Sequence, residues 1–152
     1  MTTAFEYARG KALPDVAWAL EWLDTVGFTL TAQQGGEHEG FGNVFLQFER
    51  GDIGVQITRD RLQWMVVISP PGQKNYPGLN VLLTAMEGGE PEPGPHHVPF
   101  SEPLPDQLPE GVVWRSAIPA VIEWMEEADR AASIADSDRR WRKAMIRWWK
   151  EV

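Results

Sequence analysis

Apolar and polar residues alternate through three successive segments between residues 44 and 69, which is the pattern of strands with one buried face. The segments are too close together for crossover helices, so we predict an antiparallel meander. The opposite face of the predicted sheet is mainly polar but includes Phe45, Met65 and Val67. The apolar face collects ten residues: Val44, Leu46, Phe48, Ile53, Val55, Ile57, Leu62, Trp64, Val66 and Ile68.

The register of this meander follows from two predicted two-residue turns, at residues 51–52 and 60–61. The first turn places Leu46 opposite Ile57, and the second places Ile57 opposite Trp64. A shift of one residue at either turn would move apolar side chains to the polar face. The alternation therefore favours this register and a sheet that other elements cover on one side.

A helix is predicted immediately before the sheet. Asp15 is a favourable N-cap for a helix over residues 16–26, and Gly27 is placed to end that helix. Its apolar residues recur at helical spacing and are expected to lie on the sheet. They are Val16, Ala19, Leu20, Leu23 and Val26.

A fourth strand is predicted between this helix and the meander, because Phe28, Leu30 and Ala32 alternate with threonines. The polar, glycine-rich residues 33–42 then form a loop or a wide hairpin connection. The predicted fold is α+β: an antiparallel β-meander sheet of about four strands with helices packed on one face.

The C-terminal half is predicted to be mainly helical. A short helix covers residues 79–86, and residues 88–111, which contain seven prolines, form a proline-rich surface loop. Residues 116–151 form a C-terminal helical region that begins near Ser116, with Pro119 in its first turn. The buried side of this region is expected to include Ile118, Val121, Ile122, Met125 and Ala128.

Two interpretations of this helical region are open. Either residues 136–138 cap a separate last helix over residues 139–151, or they lie within one long helix. Basic residues and aromatics are interleaved near the C-terminus, as in some nucleic-acid-binding segments. The spacing favours docking onto the rest of the protein instead, through one helical face formed by Trp141, Met145, Trp148 and Trp149.

The size and composition are those of a single globular domain over residues 1–152. The absence of cysteine excludes disulfides and thiolate chemistry, and it fits a reducing compartment. The N-terminus lacks the pattern of a signal peptide, and no apolar run is long enough for a membrane span. We therefore expect a cytoplasmic protein with no membrane partner.

Candidate catalytic and metal-binding residues are few. His38, His96 and His97 lie near glutamates, but no two of them have the i, i+4 spacing of a metal site on a helix. The serines lack a G-x-S-x-G elbow, and the glycines of residues 35–42 lack the lysine of a phosphate-binding loop. We therefore expect no catalytic residue, no metal and no cofactor, and a protein that is not an enzyme.

The formal net charge is −8 and is distributed unevenly. Residues 1–138 hold 8 basic and 21 acidic side chains, whereas residues 139–152 hold 6 basic and 1 acidic. An acidic body repels the phosphates of nucleic acid and attracts basic partners. We therefore expect a protein partner with a basic surface, and no nucleic acid.

The segment FGNVFLQFERGDIGVQITRDRLQWMVVISPPG, followed later by IPAVIEWM, resembles small immunity proteins of bacterial polymorphic-toxin and contact-dependent inhibition systems. The resemblance is one of layout: an acidic chain with a helix, a meander and C-terminal helices. It implies a non-catalytic inhibitor that binds and neutralises a cognate toxin, as a monomer or a homodimer. Two alternatives are open. One is an acidic secretion chaperone that binds a segment of an effector, and the other is a small-molecule-binding or enzyme domain, which requires a concave pocket with converging polar groups.

The resemblance transfers no binding residues position by position, so the candidate partner-binding residues come from the charge pattern. Acidic groups near an interface raise the rate of association with a basic surface. Three groups are candidates: Glu37 and Glu39 in the glycine-rich segment, Glu87, Glu90 and Glu92 beside the prolines, and Glu123, Glu126 and Glu127 on the predicted helix.

Overall fold

The sheet predicted from the alternation is present. The computed structural model describes residues 2–93 and 113–151, and within them four strands form one antiparallel sheet in the order β1-β2-β3-β4. The α+β class and the antiparallel meander are therefore confirmed. The strands are β1 (Thr29–Gly35), β2 (Val44–Arg50), β3 (Ile53–Asp60) and β4 (Gln63–Ser69).

The described residues also form five helices: α1 (Ala4–Lys11), α2 (Pro14–Thr25), α3 (Leu79–Glu87), α4 (Trp114–Glu127) and α5 (Ala131–Glu151). The prediction lacks α1, although its capping signal is present, since Thr3 Oγ1 accepts a hydrogen bond from the Glu6 backbone N at 3.1 Å. The start of α1 is also tied to the sheet. There, Gln33 Oε1 accepts a hydrogen bond from the Phe5 backbone N at 3.0 Å.

One face of the sheet carries the hydrophobic core. Apart from Leu62, the strand residues predicted for the apolar face are all buried, with at most 3% of their surface exposed. They pack with buried residues from all five described helices. Phe45, Met65 and Val67, on the opposite face, neither belong to this core nor pack against it. The predicted packing of helices on one face is therefore confirmed.

The predicted register is right at the first turn of the meander and wrong at the second. Leu46 lies opposite Ile57, but Ile57 lies opposite Val66 rather than Trp64. The second turn is formed by residues 61–62, so β4 is displaced by two residues from the predicted pairing. Because side chains alternate with a period of two, this displacement keeps every apolar residue of β4 on the same face. The hydrophobic pattern therefore does not distinguish the two registers.

Asn43 holds the observed turn between β3 and β4. Its Oδ1 accepts a hydrogen bond from the Arg61 backbone N at 2.8 Å, and its Nδ2 donates to Asp60 Oδ1 at 3.4 Å. Arg61 and Leu62 have φ angles of 49° and 70°, as the two central residues of a type I′ turn require. Leu62 is therefore a half-exposed turn residue, and its predicted place on the core face is wrong.

Asp15 has a different role from the predicted one. α2 begins at Pro14, so Asp15 lies in the first turn of the helix rather than before it. Asp15 Oδ2 accepts a hydrogen bond from the Trp114 backbone N at 2.8 Å, and Asp15 Oδ1 lies 3.9 Å from Arg115 Nε. Asp15 thus satisfies an N-terminal amide of α4, 99 residues away in the sequence. Local capping rules do not reveal a contact of this range.

The predicted termination of α2 at a glycine is confirmed. Gly27 has a φ of 92°, and its N–H donates to the Asp24 carbonyl at 3.2 Å. The N–H of Phe28 donates to the Leu23 carbonyl at 2.9 Å. These two bonds form a Schellman motif, in which glycine adopts the left-handed conformation at little cost. The motif leads the chain from α2 directly into β1.

β1 is the predicted fourth strand, with one irregularity. Its register against β2 shifts between Leu30 and Ala32, which marks a β-bulge. Ala32 consequently lies on the face opposite the core, against the predicted alternation, and Gln33 lies on the helix side. The strand continues to Gly35, so the connection predicted over residues 33–42 is shorter than expected.

The C-terminal helical region consists of two helices. α4 starts at Trp114, two residues before the predicted start, so Pro119 lies inside the helix rather than in its first turn. The helix ends at Glu127, and the next residue, Ala128, is exposed and extended, with φ −165° and ψ 167°, so the predicted burial of Ala128 is wrong. Asp129 Oδ1 then accepts a hydrogen bond from the Ala131 backbone N at 3.0 Å, at the start of α5.

The three residues proposed as a cap near position 137 lie inside α5, which docks on α3. Ser137 is buried, and its Oγ donates to the Val81 carbonyl at 2.7 Å. Four residues later, Trp141 Nε1 donates to Thr84 Oγ1 at 2.8 Å. The docking face predicted for this segment is therefore right for Trp141. It is wrong for Trp149, which is 48% exposed.

Arg50 ties the end of β2 to two helices. Its Nη1 donates to the carbonyl of Val26, the C-cap of α2, at 2.9 Å. Its Nη2 lies 3.0 Å from Glu126 Oε1 on α4, and its guanidinium lies 4.6 Å from the ring centroid of Phe28. The aliphatic stem of arginine packs on apolar surface while its head group satisfies polar groups. Arg50 thus closes one end of the core.

Most of the predicted proline-rich loop lies in residues 94–112, outside the described residues, and residues 88–93 form neither helix nor strand. In the part of the chain that the structure describes, no helix combines the length and the apolar character needed to span a membrane.

Replacing the residues of the β3–β4 turn tests the observed register. The double variant Arg61→Asn/Leu62→Gly supplies the Asn-Gly pair that type I′ turns prefer and relieves two unfavourable φ angles. We expect its free energy of unfolding, measured by urea denaturation, to rise by about 1–2 kcal/mol.

Gln63→Gly is the matched control, because Gln63 is the first residue of β4 and glycine there should lower stability by about 0.5–1 kcal/mol. In the alternative register Leu62 is a strand residue, so Leu62→Gly alone would also destabilise the protein. A loss of stability in that single variant would contradict the observed turn.

Candidate protein-binding surface

The outer face of the sheet lies opposite the core and is built from two cross-strand rows. Phe45, Thr58 and Met65 lie opposite one another on β2, β3 and β4. The next row is formed by Gln47, Gln56 and Val67. All six side chains are partly exposed, and the buried residues of the described helices pack with the other face of the sheet. We call these six residues together the outer face.

The outer face differs in composition from the rest of the chain. None of its six residues is charged, whereas 24% of the residues in the whole chain are charged. The exposed Glu49 lies at its border, where its Oε1 accepts a hydrogen bond from Gln47 Nε2 at 2.9 Å. Aromatic residues and methionine are enriched at protein interfaces, and lysine and glutamate are depleted from them. The outer face follows this trend, with Phe45 and Met65 in its more apolar row.

Tyr76 covers one end of the outer face. Its ring lies over Gly54, where a Cβ atom would come within 3.0 Å of two ring carbons and would collide with the hydroxyl. The hydroxyl accepts a hydrogen bond from Gln47 Nε2 at 3.3 Å. Glycine is therefore required at position 54 by the close approach of a ring.

The loop over residues 36–43 lies at the other end of the outer face and carries two candidate acidic residues. Glu37 and Glu39 are exposed, as is Phe41, with 63% of its surface accessible. Glu39 and Phe45 line a shallow cavity of about 260 Å³. The structure thus brings a predicted partner-binding carboxylate next to the apolar row of the outer face.

The buried side chain of Arg59 fixes this loop. Its Nη1 donates to the carbonyl oxygens of Phe41 at 3.0 Å and of Gly42 at 2.8 Å. Only 5% of Arg59 is exposed, and its guanidinium lies 6.0 Å and 5.9 Å from the ring centroids of Tyr7 and Trp64. Satisfying two loop carbonyls from within the core holds the loop against the end of the sheet.

The second predicted acidic group lies beside α3 and α5. Glu90 Oε1 lies 3.0 Å from Arg140 Nη2, which also donates to the Gly89 carbonyl at 2.9 Å. Glu87 and Glu92 are exposed. Glu90 is therefore already engaged in an ion pair within the fold, although its side chain is 85% exposed.

The third predicted acidic group lies on α4. Glu126 pairs with Arg50, Glu127 Oε2 lies 3.5 Å from Arg130 Nη2, and Glu123 is exposed. Arg50 is at the opposite end of β2 from the loop of Glu37 and Glu39, and seven strand residues span about 20 Å. The three acidic groups therefore do not form one surface. Of the eight candidate glutamates, Glu39 lines the cavity beside Phe45, and Glu37 lies in the same loop.

The histidines and carboxylates of the described residues do not come together as a metal site. Among these residues, no three of the side chains that commonly bind metals lie close enough together to hold an ion. His38 Nε2 lies 3.5 Å from Glu37 Oε1, and both side chains are exposed. His96 and His97 lie outside the described residues.

Sequence reasoning identified Phe45, Met65 and Val67 on the outer face but missed Arg59 and Tyr76. The sequence did contain a signal for Arg59. Arg59 continues the two-residue alternation of β3, which places it on the core face. An arginine at a core-facing position needs hydrogen-bond acceptors, here loop carbonyls. No comparable signal places Tyr76, whose position depends on a long-range contact with Gly54.

Comparison of the chain with protein-family models, with curated proteins and with solved structures finds no match.

Gly54→Ala tests the placement of Tyr76 on the outer face. The added Cβ must displace the ring, so we expect the free energy of unfolding to fall by about 1–2 kcal/mol in urea denaturation. In a Tyr76→Ala background the same substitution should be neutral or slightly stabilising, because alanine restricts the unfolded chain more than glycine. A coupling energy near zero in this double-mutant cycle would contradict the contact.

Proposed function

We propose that the chain is a non-catalytic inhibitor that acts by binding another protein, and specifically an immunity protein that neutralises a cognate bacterial toxin. The observation that carries the proposal is the outer face, an uncharged surface with three apolar side chains on a sheet whose other face is filled by the core. A sheet holds these side chains in place before binding, which lowers the entropy cost of association. The layout resemblance to immunity proteins points in the same direction.

The charge of the chain supports a partner with a basic surface. The net charge is −8, and the exposed Glu37 and Glu39 lie in the loop at one end of the outer face. An apolar patch with acidic residues at its rim matches the common arrangement of an interface, in which the rim sets the association rate. In this proposal the protein works in the cytoplasm, as a monomer or a homodimer, and binds neither nucleic acid nor a membrane.

A second candidate function is that of an acidic secretion chaperone. The open edge of β1 favours it, because an extended segment of an effector can add to a free sheet edge through backbone hydrogen bonds. The two functions differ in the state of the partner. An immunity protein binds a folded toxin domain, whereas a chaperone binds an unfolded segment.

Arginines on the outer face test the immunity proposal. Wild-type protein is used as bait in lysate of the source organism, and the partner captured at near one-to-one stoichiometry is cloned and expressed. The partner should arrest growth of a host cell, and co-expressed wild type should restore growth. Phe45→Arg/Met65→Arg should fold normally, since both side chains lie outside the core, and should fail to restore growth.

Ala120→Arg/Glu123→Arg is the matched control, because both residues are exposed on α4, in the helix layer. This variant should protect cells as the wild type does. Protection by Phe45→Arg/Met65→Arg equal to that of the wild type would contradict the outer face as the binding surface. Capture of an unfolded effector segment would contradict the immunity function and favour the chaperone.

Charge reversal tests the proposed role of the acidic loop. Glu37→Lys/Glu39→Lys should lower the association rate with the captured partner about tenfold at low salt and much less at high salt, because salt screens long-range attraction. Stopped-flow mixing at several ionic strengths measures this. Glu123→Lys/Glu127→Lys changes the net charge equally on α4 and should have a smaller effect. Equal rates for the two variants at low salt would contradict local steering by the loop.

A further inference from the structure

A cleft of about 560 Å³ opens beside β1, between α1 and α2. Its walls are largely apolar and include Phe5, Phe28, Leu30 and Phe48, while Glu21 and Asp24 of α2 lie at its rim. Leu30 is partly exposed, although it points to the same side of the sheet as the buried Phe48. The helix layer therefore leaves an apolar gap at this edge of the sheet.

The strand that borders the cleft is paired on one side only. β1 is the first strand in the sheet order, and six of its seven residues are exposed. Within the described residues, only β2 forms backbone hydrogen bonds with the backbone of β1. Its sequence, TLTAQQG, lacks the prolines and charged residues that usually protect free edges, and the bulge after Leu30 is its one irregularity. Apart from this bulge, which is itself one of the features that protect free edges, the described residues leave the outer edge of β1 open to a further extended segment.

The carboxylates at the rim give the cleft a chemical preference. Glu21 and Asp24 are exposed, and among the described residues neither side chain forms an ion pair or a hydrogen bond. They lie three residues apart on α2, so they project from the same side of the helix. On the α1 wall, the guanidinium of Arg9 lies 5.7 Å from the ring centroid of Phe5. A ligand with an apolar group and a nearby cation is complementary to the α2 side of this cleft.

We propose that β1 and this cleft bind an extended peptide segment of a partner protein, with an apolar side chain in the cleft opposite Leu30. The segment adds antiparallel to β1, as every other strand pair in the sheet is antiparallel. A lysine or arginine two residues after the apolar residue contacts Glu21 and Asp24. Residues two apart in a strand face the same side, so both side chains reach the helix layer.

The order of the two side chains follows from the connection between α2 and β1. Asp24 lies directly before the Schellman motif that leads into β1, so the carboxylates are near the N-terminal end of this strand. The C-terminal end of an antiparallel segment lies at that same end. The basic residue is therefore C-terminal to the apolar one. This site is distinct from the outer face, and its existence does not depend on the partner being a toxin.

The test is an NMR titration of the full-length, ¹⁵N-labelled protein with the capped peptide Thr-Thr-Thr-Phe-Thr-Lys-Thr. Saturable shifts are expected in the amides of β1 and of α2 around Glu21, with a dissociation constant of about 1 mM or tighter. The affinity should fall about fivefold in Glu21→Gln/Asp24→Asn, as expected for the loss of two partly exposed ion pairs. Glu123→Gln/Glu127→Gln removes the same charge from α4 and should leave the affinity unchanged.

Two control peptides distinguish binding at this site from nonspecific electrostatic attraction of a basic peptide to an acidic protein. Replacing the lysine of the peptide with glutamate should weaken binding, and N-methylation of alternate amides should abolish it by blocking strand pairing. The inference is overturned if the peptide produces no saturable shift in β1 up to about 5 mM. Equal affinity for the N-methylated peptide would overturn it as well. Because the peptide is tested without any partner, a negative result leaves the outer-face proposal standing.

Discussion

The structure depends on removing the apolar stripe on one face of the four-stranded sheet from water. Nine strand residues on this face are at most 3% exposed, and burying each large aliphatic or aromatic side chain contributes about 1.5–3 kcal/mol. Specific polar contacts then position the helices that cover the stripe. Gln33 binds the first turn of α1, Asp15 joins α2 to the first turn of α4, and Ser137 attaches α5 to α3. Burial therefore determines that the face is covered, and a few long-range hydrogen bonds determine how.

Much of this fold follows from local pattern, and the errors have identifiable physical causes. Alternation with a period of two predicts which face of each meander strand is buried, but it is unchanged by a shift of two residues. The position of the second turn instead depends on Asn43, which contacts Asp60 and Arg61. No local pattern in the sequence reveals these contacts. The role of Asp15 as a partner of Trp114 was missed for the same reason.

The candidate binding surface was predicted in part. The two-residue alternation of the strands alone placed Phe45, Met65 and Val67 on the outer face. This placement does not change when the pairing of β4 shifts by two residues. The eight candidate glutamates were chosen by charge. The charge of a residue does not show which other residues lie close to it in the fold. The structure separates them into groups at different places and engages Glu90 and Glu126 in ion pairs within the fold. It places Glu39 in a cavity beside Phe45 of the outer face, with Glu37 in the same loop. The outer face and the free edge of β1 are adjoining parts of the same sheet. The proposed function, binding of another protein, uses both features.

The sheet is covered on one face and accessible on the other, and thiol reactivity tests this arrangement directly. The chain has no cysteine, so one introduced thiol reports on one position. Met65 and Val66 are neighbours on β4 that point to opposite faces, the first partly exposed and the second buried. We expect Met65→Cys to react rapidly with a thiol reagent in the native protein, and Val66→Cys to react only as fast as the protein unfolds. Similar reaction rates at the two positions would contradict a one-sided sheet.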